Sequence, residues 1–147
     1  MILLRQSKPE DHDRLFKVWQ TAVEATHHFL KQKDAEEISA MVREQYIPNV
    51  TFTVTVDEND IPTAFLGMTD NVIDALFVHA DHLGQGIGSV IMGHVKERFD
   101  HLKLDVNEDN SGARAFYEKQ GFVMTGRSET DDDGRPYPII HMEWVKR

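Results

Sequence analysis

Three glycines at alternate positions, Gly84, Gly86 and Gly88, lie between an apolar run with strand character and one with helical periodicity. No other feature constrains the chain as much. Glycine lets the backbone turn at positive φ and lets a ligand approach the main chain unobstructed. The amides that open the following helix can donate to a phosphate, and the helix dipole favours negative charge there. Two familiar loops fail on spacing. A dinucleotide fingerprint needs G-x-G-x-x-G, but the third place after Gly86 is Ser89, and a Walker loop needs a Gly-Lys-Ser/Thr that is absent. On its own, the run reads either as a phosphate cradle or as a tight turn with no ligand.

The flanking pattern sets the architecture. Ile2–Arg5 reads as a short strand, and Pro9 after Ser7 or Lys8 starts a helix with an apolar stripe at Leu15, Val18, Trp19, Ala22 and Val23. A second helix is expected from Asp34 to Tyr46, stopped by Pro48. Thr51–Val56, Pro62–Met68 and Val72–Val78 then read as strands of a meander. After the glycines come a helix, a strand at Leu102–Val106, a helix capped by Asn110 and ended by Gly121, and strands at Phe122–Gly126 and Tyr137–Val145. The strand–helix–strand portion favours parallel pairing inside an otherwise antiparallel sheet. The expected fold class is α/β, a mixed, mostly antiparallel sheet of about seven strands flanked by about four helices. With 147 residues and no linker, one domain over 1–147 is expected, with Trp19 and Trp144 in its core.

Composition narrows the chemistry. There is no cysteine, which removes disulfides, thiolate metal sites and a cysteine nucleophile. The net charge of −9 argues against nucleic acid as a partner. Residues 84–121 hold five basic against six acidic residues, and the remainder 11 against 19, so the glycine segment is the least repulsive to an anion. No transmembrane or signal-peptide stretch is visible, and a cytoplasmic protein with no membrane partner is expected. The eight histidines include no H-E-x-x-H and no ligand spacing around His79, His82, His94 or His101, so they read as surface residues and no metal is expected.

The run from Val78 to Ser89 resembles the acyl-CoA pyrophosphate loop of the GNAT superfamily of N-acetyltransferases, with Gly86 and Gly88 at its two small positions. A second match follows in the expected order: Val106–Asn110, Ala113, Phe116-Tyr117 and Gly121-Phe122. The segments 25–30, 74–77, 125–129 and 136–138 are similar to small bacterial single-domain members, so the resemblance spans essentially the whole chain. Leu83 departs from it, standing where the family usually has Gln or Arg, and Ala80 replaces a frequent proline.

The resemblance implies transfer of an acetyl group from acetyl-CoA to a primary amine, either a small amine or a protein lysine or N-terminus, by direct attack in a ternary complex. It implies that Leu76, Phe77 and Val78 lie beside the thioester. Leu83, Gly84, Gln85, Gly86, Ile87, Gly88 and Ser89 would hold the pyrophosphate, with Asn110 and Phe116 also on the cofactor side. Tyr117 matches the general acid, a phenol with a reference pKa of about 10 that stays neutral while it donates to the departing thiolate. The base is open. Asp74 and His28 are candidates, and a carboxylate needs burial or a water relay to deprotonate an ammonium. Phe29, Glu129 and Tyr137 are expected at the acceptor site together with His28, and Asp131–Asp133 can attract a cationic amine or simply form a solvated turn. The partners are then acyl-CoA and an amine, in a monomer or weak homodimer. The alternative function is a non-catalytic acyl-CoA sensor on the same fold.

Overall fold

The structure is a computed structural model that describes residues 2–147. Its elements follow the expected order: β1 (Leu3–Gln6), α1 (His12–Thr26), α2 (Gln32–Met41), β2 (Thr53–Val56), β3 (Pro62–Thr69), β4 (Val72–Val78), α3 (Ile87–Lys96), β5 (His101–Asn107), α4 (Ser111–Lys119), β6 (Val123–Ser128) and β7 (Ile139–Val145). The seven strands pair in the order β1-β2-β3-β4-β5-β7-β6. The β1–β2, β2–β3, β5–β7 and β6–β7 ladders are antiparallel, and β4–β5 is parallel. By contacts the chain divides into two compact units, Met1–Gly67 with Ala75–Ile91, and Met68–Asp74 with Met92–Arg147.

In the first unit, the apolar stripe of α1 (Leu15, Val18 and Trp19) packs with Val54 and Val56 of β2, Phe65 of β3 and Ala75 of β4. Phe52 and Phe65 meet edge to face, with ring centres 4.9 Å apart. Lys8 is the cap before Pro9, one of the two residues expected there: Pro9–Asp11 forms a turn of 3₁₀ helix ahead of α1, and the Asp11 carboxylate accepts the Lys8 amide (2.8 Å). Arg5 grips the same carboxylate through Nη1 and Nη2 at 2.8 and 3.1 Å, which holds the Asp11 acid below its ordinary range. Ser7 instead accepts the Phe52 amide at 2.8 Å. The second helix also ends earlier than expected, at Met41. A π-helical turn (Val42–Tyr46) and a 3₁₀ turn (Ile47–Asn49) carry the chain past Pro48, whose missing N–H cannot continue an α-helix.

In the second unit, Leu102, Leu104 and Val106 of β5 and Ile140 and Met142 of β7 are buried, while Lys103 and Asp105 between them are exposed. That period of two gives the strands one apolar and one polar face. Gly121 ends α4 at φ +95, where an added Cβ would lie 3.1 Å from the Trp144 ring. Trp144 itself is half-buried rather than fully in the core, with the Lys96 ammonium 5.1 Å from its ring centre.

Gly67 on β3 makes room for two aromatic rings. A Cβ there would stand 2.6 Å from the Tyr46 hydroxyl oxygen and 3.1 Å from Phe52 Cε1. Gly67→Ala is therefore expected to lower the unfolding free energy by about 1–3 kcal/mol through overpacking. The check is a lower urea midpoint at an unchanged m-value.

Candidate functional site

The glycine loop grows out of a pinned strand end. At the end of β4 the His79 amide donates to Thr63 O (2.8 Å) and the Ala80 amide to Thr21 Oγ1 (3.1 Å), which ties the departing chain to β3 and α1. Ala80–His82 makes one 3₁₀ turn, capped by His79 Nδ1, which accepts the Asp81 amide at 3.0 Å. His79 is buried, contrary to the reading of the histidines as surface residues, and burial pushes its imidazole below the ordinary value. Its ring stands edge-on to His82, whose Nδ1 lies 3.1 Å from Gln85 Oε1. The Gln85 side chain is thus engaged inside the loop.

Gly84 and Gly86 both adopt φ +78, and nothing lies within 4 Å of where a Cβ would project from either. Only glycine holds such a backbone without strain, and the space in front of it is open. Gly88 belongs instead to the first turn of α3, which starts at Ile87. First-turn amides have no acceptor within their own helix. Two left-handed glycines that face open space at the start of a helix fit a pyrophosphate group. Leu83 is exposed and supplies no polar atom from its side chain. Along β4, Phe77 packs on Phe65 with ring centres 5.6 Å apart, and Leu76 and Val78 are half-buried.

The second unit carries the acid–base candidates. Asn110 Oδ1 accepts the Ala113 amide at 3.2 Å, the expected cap of α4. One helical turn further on, Tyr117 is buried between Phe116 and Phe122, at 5.3 and 5.6 Å between ring centres. Burial drives the Tyr117 phenol well above its ordinary value, so it stays a neutral donor throughout the working range. The parallel ladder joins Val72 to Lys103 and Ile73 to Leu104, and among the described residues it goes no further.

The other candidates have different surroundings. Asp74 is exposed and accepts the Thr69 hydroxyl at 2.6 Å, so the burial that would strengthen its carboxylate as a base is missing. His28 is exposed at the end of α1, with Nε2 3.1 Å from Ala25 O, and Phe29 lies 5.2 Å from the His27 ring. Glu129 is exposed and Tyr137 is buried. Arg135 pairs with Asp131 (3.5 Å) and Asp133 (3.0 Å), which favours the turn reading of that acidic run. Among the described residues, no three metal-ligating side chains cluster, and no helix is long and apolar enough to cross a membrane.

One polar group escaped the sequence reading altogether. Ser128, His141 and Asp105 are hydrogen-bonded in series across β6, β7 and β5. Their spacing along the chain carries no signal, because only strand register brings them together.

His79 generates a pH prediction. A histidine held neutral by burial contributes stability that is present above the ordinary imidazole value of 6.5 and is lost as pH falls below it through the folded value. Melting temperatures measured from pH 8 to pH 5 should fall less steeply in His79→Gln than in the wild type.

Comparison with known proteins identifies a match of residues 17–146 to the acetyltransferase (GNAT) domain family. The chain is 39% identical over 142 residues to the peptidyl-lysine N-acetyltransferase YjaB of Salmonella typhimurium, covering 97% of each. It is also similar to the solution structure of apo-form YjaB from Escherichia coli, with a TM-score of 0.94, 37% identity and coverage of 100% of this chain and 99% of that one. A PaiA N-acetyltransferase from Thermoplasma acidophilum, solved in complex with coenzyme A, shares the fold at a TM-score of 0.77 and 18% identity over 99% of both chains.

Proposed function

Because the chain belongs to the GNAT acetyltransferase family, we propose that this N-acetyltransferase takes acetyl-CoA as donor and the ε-amine of a protein lysine as acceptor. The observation that carries the acceptor is the 39% identity, over 97% of both chains, to a peptidyl-lysine N-acetyltransferase. The observation that supports the donor is the loop: two glycines at φ +78 facing open space at the start of a helix.

In this reading Gly84, Gly86 and the first amides of α3 bind the pyrophosphate. Neutral donors suit an acidic protein, because they hold an anion without needing an excess of basic residues. The Leu76–Val78 end of β4 runs alongside the arm that bears the thioester. Acetyl-CoA, when bound, supplies an activated acyl group. Tyr117 presents its hydroxyl proton to the sulfur as the acetyl group leaves, and its buried ring fixes where that proton is offered. Glu129, exposed and acidic, attracts the cationic lysine.

Two measurements test this. Acetyl-CoA at a hundred times its dissociation constant adds about 2.7 kcal/mol, a rise in melting temperature of about 5–10 °C that ATP or NADH should not reproduce. Gly86→Ala, strained at positive φ by about 1–2 kcal/mol, should diminish that rise. Tyr117→Phe should bind acetyl-CoA nearly as well as the wild type yet acetylate a lysine peptide at least about tenfold more slowly. Unchanged turnover would remove Tyr117 from the reaction. A wild type that binds acetyl-CoA without turnover would point to a sensor.

A further inference from the structure

Three neighbouring strands of the second unit bring a serine, a histidine and an aspartate into line. Asp105 on β5 and His141 on β7 are direct partners in the antiparallel ladder, and Gly126 on β6 opposes His141 from the other side. His141 Nδ1 lies 2.6 Å from Asp105 Oδ1, and Ser128 Oγ lies 2.7 Å from His141 Nε2. A carboxylate oxygen only accepts, so Nδ1 carries the ring proton. In the neutral ring Nε2 is then the acceptor, and the Ser128 hydroxyl donates to it. The hydroxyl is thereby left with a free lone pair and a base behind it.

The backbone is shaped around this imidazole. A Cβ at Gly126 would stand 3.3 Å from His141 Cδ2, so a glycine leaves the ring its seat, and the β6–β7 register shifts between Met124 and Gly126. The fold gains little from the arrangement. The His141 and Asp105 side chains are 37% and 54% exposed, and ion pairs that open to water contribute only about 0.2–1 kcal/mol. Asp105 is also the first residue of β5 beyond the described ladder with β4, which ends at Leu104. Other charges on these strands are Lys103, the His101–Glu143 pair (2.6 Å), and Arg127, which is bonded to Glu108 at 2.7 Å. Ser128 is followed directly by the exposed carboxylate of Glu129.

We propose that His141, oriented by Asp105 and reached through the Ser128 hydroxyl, is the proton acceptor for the amine. The proposal rests on the acetyltransferase reading and supplies the base which that reading lacks. One N–H bond of the ammonium breaks, and its proton passes to Ser128 Oγ. The Ser128 proton passes to His141 Nε2, and the resulting imidazolium is balanced by Asp105. The electron pair left on the amine nitrogen forms the new N–C bond as the thioester C–S bond breaks; the sulfur takes the Tyr117 proton, and the second proton that the nitrogen loses restores the phenol.

The test uses the full chain, acetyl-CoA and a lysine peptide. It compares kcat and kcat/KM against pH in the wild type, His141→Gln, Ser128→Ala and Asp105→Asn, with acetyl-CoA affinity measured by calorimetry. His141→Gln should lower kcat about 10²-fold or more and remove the fall in kcat/KM on the acid side, while acetyl-CoA affinity stays the same. Added imidazole should restore part of the rate to His141→Ala, a rescue that a purely structural residue would not show. If His141→Gln does not fold, Ser128→Ala carries the same comparison. A folded variant that keeps both its turnover and its acid-side fall overturns the proposal and leaves the acetyltransferase reading intact. A wild type that binds acetyl-CoA but acetylates no amine overturns the acetyltransferase reading instead. Nitrogen NMR then decides the relay on its own, and a His141 ring proton found on Nε2 overturns it.

Discussion

A protein with a net charge of −9 cannot hold a polyanionic donor by a broad field of positive charge. Neutral donors on a rigid support suit such a ligand better, and the glycine loop of the first unit has that form. Two glycines at φ +78 bend the main chain outward, and α3 begins directly behind them. The strand end that precedes them is tied to β3 through Thr63, to α1 through Thr21 and to its own turn through His79. A loop of glycines alone would spread over many conformations, at an entropic cost to binding. Here the flexible residues are confined to the short stretch that has to bend, and the chain on either side is fixed.

The second unit carries Tyr117 and a set of histidine–carboxylate pairs. Tyr117 is buried beside Phe116 and Phe122, and burial keeps that phenol neutral. The polar face of β5 and β7 carries both pairs, Asp105–His141 between ladder partners and His101–Glu143 on the diagonal, each at 2.6 Å.

Much of this was legible in the sequence, for identifiable reasons. Strand and helix order follows from hydrophobic period and from Gly, Pro and Asn at the ends, so the parallel β4–β5 pairing and the Asn110 cap were both readable. Local backbone competition was not. The Asp11 carboxylate takes the Lys8 amide ahead of α1 with Arg5 beside it, and the helix after Gln32 yields to a π turn at Val42. His79 looked like any other histidine until its burial and its capping bond were seen. The candidates that hydrogen bonds or exposure recast, Asp74 and Asp131–Asp133, were chosen by residue type and position, which say nothing of neighbours such as Thr69 and Arg135. Ser128, His141 and Asp105 were out of reach because a one-residue slip in register would separate them.

The two tryptophans fall one in each unit and in unlike settings. Trp19 is buried in the apolar core of the first, stacked on Phe16 at 5.7 Å between ring centres, whereas Trp144 in the second is only partly buried, with a lysine ammonium over its ring. Their emission should therefore differ in colour and in access to dissolved quenchers. The chain thus carries a native pair of optical reporters, through which loosening of the two units can be followed separately in a single unlabelled sample.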